Sequence, residues 1–450
     1  MTFRFLHLAD LHLDSAYGGR AETRARLRSA TFEALENAAR FAIADGIDAV
    51  LIAGDAYDDD RLGVDARSVL RRELRRLGDA GVRVVIVTGN HDPGGPGFVA
   101  PRLGLDRLPN VDVALGAEPR TVTIERDGRV LAHVVACGHE TARTTDDLAS
   151  LMTPRPGSAP SVALLHTQVS SARGAGGHEP YAPASPATLA ASGFAYWALG
   201  HVHVRGRATP DAPAWYCGNL VGRNARETGP KGGLVVEVDR GGLVGTPRFV
   251  PFAPVEFLRC GVDAPATSEP ESVALAALRS IEAALDARGA VRLPEEIVLR
   301  IVLEGPRHRA LDATLEDWSQ RAAFADAVRE EIGAELTRPA LLEVELRTAT
   351  ARSEATPAID LDAGPSALRE ALRLARELEE DPSRIDELDV DWSLAQGATA
   401  NERRANAPRP SPAGAQRIEG CVASRRSTNR SGRPSSNARV AATWSGSNAS

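Results

Sequence analysis

The chain has 450 residues, 43% of them hydrophobic and 25% charged, with a formal net charge of −7. That length is too great for one hydrophobic core, so two or more domains are expected, and the composition is that of a globular protein. The acidic balance argues against a uniformly basic nucleic-acid coat, and no apolar run approaches the ~20 residues of a membrane helix. The four cysteines, Cys137, Cys217, Cys260 and Cys421, are scattered and form no CxxC pair. Neither a zinc ribbon nor a disulfide framework is expected, and a reducing cytoplasm fits. Met1 to Leu13 lacks a charged start and a small-residue cleavage site, so it is not read as a signal peptide.

In chain order, Phe3 to Ala9 predicts a strand ending at Asp10, and Arg20 to Asp45 carries apolar residues at helical spacing, from Leu27 and Ala30 to Phe41. Ala49 to Ala53 predicts a second strand, Asp65 to Asp79 a helix, and Val82 to Val87 a third strand. Continuous apolar strands alternating with helices imply a parallel sheet covered on its faces. Val122 to Ile124 and Val130 to Val135, split by Asp127-Gly128, predict an antiparallel pair. Val162 to Leu165, Phe194 to Leu199, Trp215 to Gly218 and Leu234 to Val238 predict further strands, with a loop over residues 170–186. A first domain is expected to close at residue 254.

Residues 255–348 predict a small α+β domain of β-α-β-α-β order: strand Val255 to Val262, helix Pro270 to Arg288, strand Glu296 to Leu303, mostly helix from Leu311 to Leu336, and strand Leu341 to Leu346. Residues 349–395 predict a linker and one amphipathic helix, Ser366 to Glu380, either packed on its own domain or docking a partner. Residues 396–450 are rich in Asn, Ser, Arg and Pro and lack periodicity, and they are expected to form a disordered basic tail.

Five predicted strands end in side chains of metal-ligand type: Asp10 with His12, Asp55, Asn90 with His91, His166, and His201 with His203. Carboxyl ends of parallel strands line one crevice, so these distant residues are expected to converge. Singly, each has an ordinary explanation, such as a cap, a turn residue or a core histidine; their shared position makes coincidence a poor account. Carboxylate, imidazole and amide oxygen together favour Mn²⁺, Fe²⁺ or Zn²⁺ over an all-oxygen Mg²⁺ or Ca²⁺ site. The donors are too many for one ion. Two ions about 3.5–4 Å apart would share them, with Asp55 as the natural bridge.

The pattern Asp10-Leu11-His12, Gly54-Asp55, Gly89-Asn90-His91-Asp92, His166 and Gly200-His201-Val202-His203 resembles that of the calcineurin-like metallophosphoesterases, over residues 1–254. The resemblance implies a β-sandwich flanked by helices within an α/β fold. It implies two divalent ions, with Mn²⁺ expected and Fe²⁺ or Zn²⁺ as alternatives. It implies that Asp10, His12 and His203 hold one ion, that Asn90, His166 and His201 hold the other, and that His91 is a catalytic residue outside both sets. His7 to Ser15, Tyr196 to His201, and Tyr216 to Asn219 with Gly222-Arg223, Glu227 and Lys231-Gly232 resemble the DNA-repair nuclease branch, the SbcD and YhaO type. That branch implies a capping domain at residues 255–348, a DNA substrate, an SMC-like ATPase subunit as partner, and a homodimer. Arg205, Arg223 and Lys231 are expected to contact phosphate. Two rivals share the core: a small-molecule or cyclic-nucleotide phosphodiesterase, and a Ser/Thr protein phosphatase. The second would need Arg-Gly after Asp58, where this chain has Asp59-Asp60.

Overall fold

A computed structural model describes residues 2–349 apart from 59–61, 173–179, 264–268, 290 and 306–308. The linker, helix and tail expected beyond residue 349 lie outside the described residues. The chain opens with β1 (Phe3–Leu8), α1 (Ala21–Ala44), β2 (Ala49–Ala53), α2 (Val64–Asp79), β3 (Arg83–Val87), α3 (Ala100–Leu103) and β4 (Val111–Ala114). It continues with β5 (Arg120–Arg126), β6 (Arg129–Cys137), β7 (Ser161–His166), α4 (Pro186–Ala191), β8 (Tyr196–Gly200), β9 (Gly206–Arg207) and β10 (Ala214–Tyr216). Then follow β11 (Gly232–Asp239), β12 (Gly242–Leu243), β13 (Arg248–Pro251), β14 (Val255–Asp263), α5 (Pro270–Asp286), β15 (Glu296–Glu304), α6 (Arg309–Glu316), α7 (Trp318–Glu335) and β16 (Ala340–Thr348).

Two mixed sheets form a sandwich. The first runs β12-β11-β1-β2-β3-β4, with β13 on β11; the second runs β5-β6-β7-β8-β10-β9. Strands β1 to β4 pair in parallel, and β11 returns antiparallel beside β1. Side chains alternate between faces along each strand. Phe3, Phe5, Leu51, Val85 and Val87 meet Val134, Leu164 and Tyr196 of the second sheet. Leu6, Leu8, Val50, Ile52, Val84 and Ile86 face α1 and α2. The first sheet is therefore covered by helices on one face and by the second sheet on the other. The expected hairpin is β5-β6, where Asp127 and Gly128 both take positive φ, as a two-residue turn matching strand twist requires.

Strands β14, β15 and β16 form a separate, wholly parallel sheet, in the expected β-α-β-α-β order. Alternate residues on one face, including Cys260, Leu299, Ile301 and Leu346, pack under α5 and α7. On the other face Phe257 and Val298 join the core that lies beneath α1 and α2. The helical stretch from Leu311 to Leu336 breaks at Asp317, whose carboxylate accepts from the amides of Ser319 and Gln320 and caps α7.

Candidate metal centre

The strand ends do converge. β1, β2, β3, β7 and β8 all terminate at one edge of the sandwich, and the residues after them leave the sheet in strained turns. Asp10, His12, Asp55 and His201 all have positive φ, with values of 51°, 44°, 51° and 101°. Such backbone is uncommon for residues with a Cβ and clusters at functional sites. It aims four side chains at one point. Gly200 permits a close approach of two strand ends, since a Cβ there would lie 1.9 Å from the Ala53 carbonyl oxygen.

Hydrogen bonds around the cluster fix which ring nitrogens carry protons. His12 Nδ1 lies 2.9 Å from Asp58 Oδ1, and His203 Nδ1 lies 3.0 Å from Glu227 Oε1. Each carboxylate accepts, so each Nδ1 donates and each Nε2 presents a lone pair. Those two Nε2 atoms face each other at 3.3 Å. His166 repeats the arrangement. Its Nδ1 donates to the Ala53 carbonyl at 2.9 Å, leaving Nε2 at 3.0 Å from Asn90 Oδ1 and 3.4 Å from Asp55 Oδ2. Asn90 Oδ1 also lies 3.2 Å from His201 Nδ1. Electron pairs facing electron pairs in a buried site repel unless a cation stands between them.

The donors form overlapping groups: Asp10, His12 and His203; Asp10, Asp55 and His166; and His12, Asp58 and His91. Three such groups fit a dimetal centre. In the third, His12 and His91 both turn Nδ1 to Asp58, at 2.9 and 3.1 Å, so that group holds protons. Burial followed by repulsion from Asp55 raises the Asp10 carboxyl well above its ordinary range. Burial also raises Asp55. Burial pushes His12 down to about 3 and His166 well below its ordinary value. Neutral imidazoles are ready to ligate, and a divalent cation would relieve the burial and repulsion that raise the two carboxyls.

His91 differs from the other histidines in the cluster. Its side chain is 40% exposed, while those of His12 and His166 are buried. Burial works against its charge, but the Asp58 hydrogen bond and the Asp55 and Asp58 carboxylates outweigh it and raise its pKa. Its backbone N–H donates to Asp55 Oδ1 at 2.9 Å, which fixes the loop to the centre of the cluster.

Of the basic residues expected at a substrate, the structure brings Arg223 to the cluster, its guanidinium 3.4 Å from both His12 Nε2 and Asp58 Oδ2. Arg205 lies over the Phe249 ring, 3.6 Å from its centroid. Lys231 is buried and donates to the His203 carbonyl at 3.2 Å, supporting the ligand loop from behind. Sequence reasoning gave no role to Asp58, Glu227 or Asp92. Asp92 closes the Gly89-Asn90-His91 turn, accepting from the amides of Gly89, Asp55 and Ala56. His139, also buried, donates to the His166 carbonyl at 2.7 Å, and His7 is a core residue bonded to Tyr196.

This architecture is a calcineurin-like metallophosphoesterase fold, and its converging donor groups fit a metal-dependent hydrolase. The family model described as calcineurin-like phosphoesterase matches residues 3–205. The uncharacterized metallophosphoesterase YhaO of Bacillus subtilis is 31% identical over 244 residues, covering 53% of this chain and 58% of that protein. The DNA double-strand break repair protein Mre11 of Saccharolobus solfataricus is 26% identical over 212 residues, 46% of this chain and 51% of that one. Its namesake in Methanopyrus kandleri is 28% identical over 258 residues, 54% and 55%. The chain thus spans about half the length of these curated relatives. Among the described residues no helix is long and apolar enough to cross a membrane.

Proposed function

We propose that the chain is a DNA nuclease, an exonuclease acting in DNA repair in the cytoplasm, with Mn²⁺ as its ion. In this reading Asp10, His12 and His203 would hold one cation and Asn90, His166 and His201 the second, with Asp55 shared between the two sets. Divalent ions there would supply Lewis acidity toward water and phosphoryl oxygen. The chain's own residues do the rest. Asp58 holds His91 by Nδ1 and favours its charged form, which leaves Nε2 to donate to a non-bridging or leaving oxygen of the phosphodiester. Arg223, next to His12, balances phosphate charge.

The observation that carries the reading is a half-exposed, Asp58-held His91 at the mouth of a buried set of facing lone pairs. DNA is favoured as substrate by relatives named for double-strand break repair. An SMC-like ATPase subunit and a second copy of the chain are proposed as partners on the same basis. The test is digestion of linear and circular plasmid DNA with added Mn²⁺, beside bis-p-nitrophenyl and p-nitrophenyl phosphate. Mn²⁺-dependent loss of linear DNA is expected. Cleavage of the small diester with DNA untouched would favour the small-molecule phosphodiesterase instead, and cleavage of the monoester alone a phosphatase.

A further inference from the structure

The parallel sheet β14-β15-β16 turns one face to its helices, and the other is only partly covered. Phe257 and Val298 at one end of that open face are buried. Farther along, the same face presents Arg259, Arg300 and Arg347 into a cleft of about 840 Å³, whose opposite wall is the loop carrying Ala225, Arg226 and Thr228. An adjoining cleft of about 360 Å³ shares Ala225, Arg300 and Arg347 and reaches Arg223. Arg223 stands at the metal centre, so the basic surface is continuous from the reacting edge outward.

Two features set this surface apart from ordinary solvated charge. Arg259 and Arg300 are register partners on adjacent parallel strands, with like charges side by side. Strands lie about 4.8 Å apart, and like charges directly opposite destabilise a sheet. The compensating carboxylates are few. Glu345 is shared by Arg300 and Arg347, with both contacts at 2.6 Å, Glu304 lines the cleft, and Glu343 lines the adjoining one. Among the described residues no carboxylate pairs with Arg226 or Arg259. A chain of net charge −7 thus concentrates unbalanced arginine beside its catalytic edge.

We infer that this cleft binds the non-scissile phosphates of a nucleic-acid strand leading away from the metal centre, an inference that rests on the nuclease reading. Three arginines on successive strands span about 10 Å, more than a single phosphate occupies. Among the described residues the only aromatic side chain of that face, Phe257, is buried and offers no ring for base stacking. The contact is to backbone, and it positions the strand without reading its sequence.

The test uses full-length, Mn²⁺-loaded protein in parent and Arg226→Ala/Arg259→Ala forms, each also in a His91→Ala background so that binding is measured without turnover. Both arginine side chains are exposed, so folding is retained. Hydrolysis of bis-p-nitrophenyl phosphate is expected to stay at the parent rate. Affinity for a fluorescein-labelled single-stranded oligonucleotide is expected to fall on the order of tenfold, and the slope of log affinity against log salt to flatten by about 1.4, at ~0.7 per lost phosphate contact. An Arg226→Lys/Arg259→Lys form should restore most of both. A parent that cuts DNA while the double alanine form binds with unchanged affinity and slope overturns this inference alone. A parent that hydrolyses the small diester but neither binds nor cuts the oligonucleotide overturns the nuclease reading and this inference with it.

Discussion

His91 and His201 are both imidazoles at the same edge, and their surroundings give them opposite assignments. His201 lies against Asn90 Oδ1 in strained backbone, whereas His91 turns away to Asp58. His91→Ala is therefore expected to lose turnover by about 100- to 1000-fold, the usual cost of one preorganised donor, while keeping its full metal content. His201→Ala should lose metal together with activity, and elemental analysis of the two purified variants separates them. Equal metal loss in both would make His91 a ligand. Asp58→Asn makes a second test. The Asp58 carboxylate helps raise the His91 pKa, so its removal lowers that pKa and the protonated ring is lost at lower pH. The alkaline limb of the rate profile should move toward acid in Asp58→Asn. A limb that stays in place would mean His91 is not the acid.

At the scale of elements, the convergence of the candidate ligands was legible because each follows an apolar strand, and parallel strands deliver their carboxyl ends to one side. Asp58 was not legible. It lies in the run Asp58-Asp59-Asp60, three residues past Asp55, where neither periodicity nor a strand end marks it. Glu227 stands in a loop 24 residues beyond His203, and only the turn from Gly222 to Glu227 brings it back. The two-sheet arrangement was likewise hidden in the residue pattern. A strand buried on both faces reads the same whether its cover is a helix or a sheet, and β11 finds β1 across more than half the described chain. The close contact of β8 with the end of β2 gives an element-level prediction. Gly200→Ala would drive a methyl into the Ala53 carbonyl. Overpacking of this kind costs about 1–3 kcal/mol. Thermal melts should show a lowered Tm and titrations a weakened metal affinity, since His166 and His201 hang from the same contact. A variant with parent Tm and affinity would show that the two strand ends can part freely.

For the whole molecule, a filled metal centre would also be a source of stability. Asp10, Asp55 and the four buried imidazoles of His12, His166, His201 and His203 gather where two sheets meet, and cations that bind only the folded chain stabilise it by mass action, about 2.7 kcal/mol at a hundredfold excess over Kd. Exhaustive chelation should lower Tm, and returning Mn²⁺ should restore it; a Tm indifferent to both would place the ions outside the folded core. In the proposed reading Asp55 would join the two ion sites into one centre, because a shared carboxylate offsets the repulsion between neighbouring cations. Its buried position between His12, at 3.8 Å, and His166, at 3.4 Å, is the geometry on which that assignment stands. The most direct measurement is metal content per chain in the parent and in Asp55→Ala, both loaded with Mn²⁺ and freed of excess. The account predicts two ions in the parent and well under two in the variant, with phosphodiester hydrolysis lost. A variant that keeps the parent's full complement, or a parent that takes up none, would contradict it.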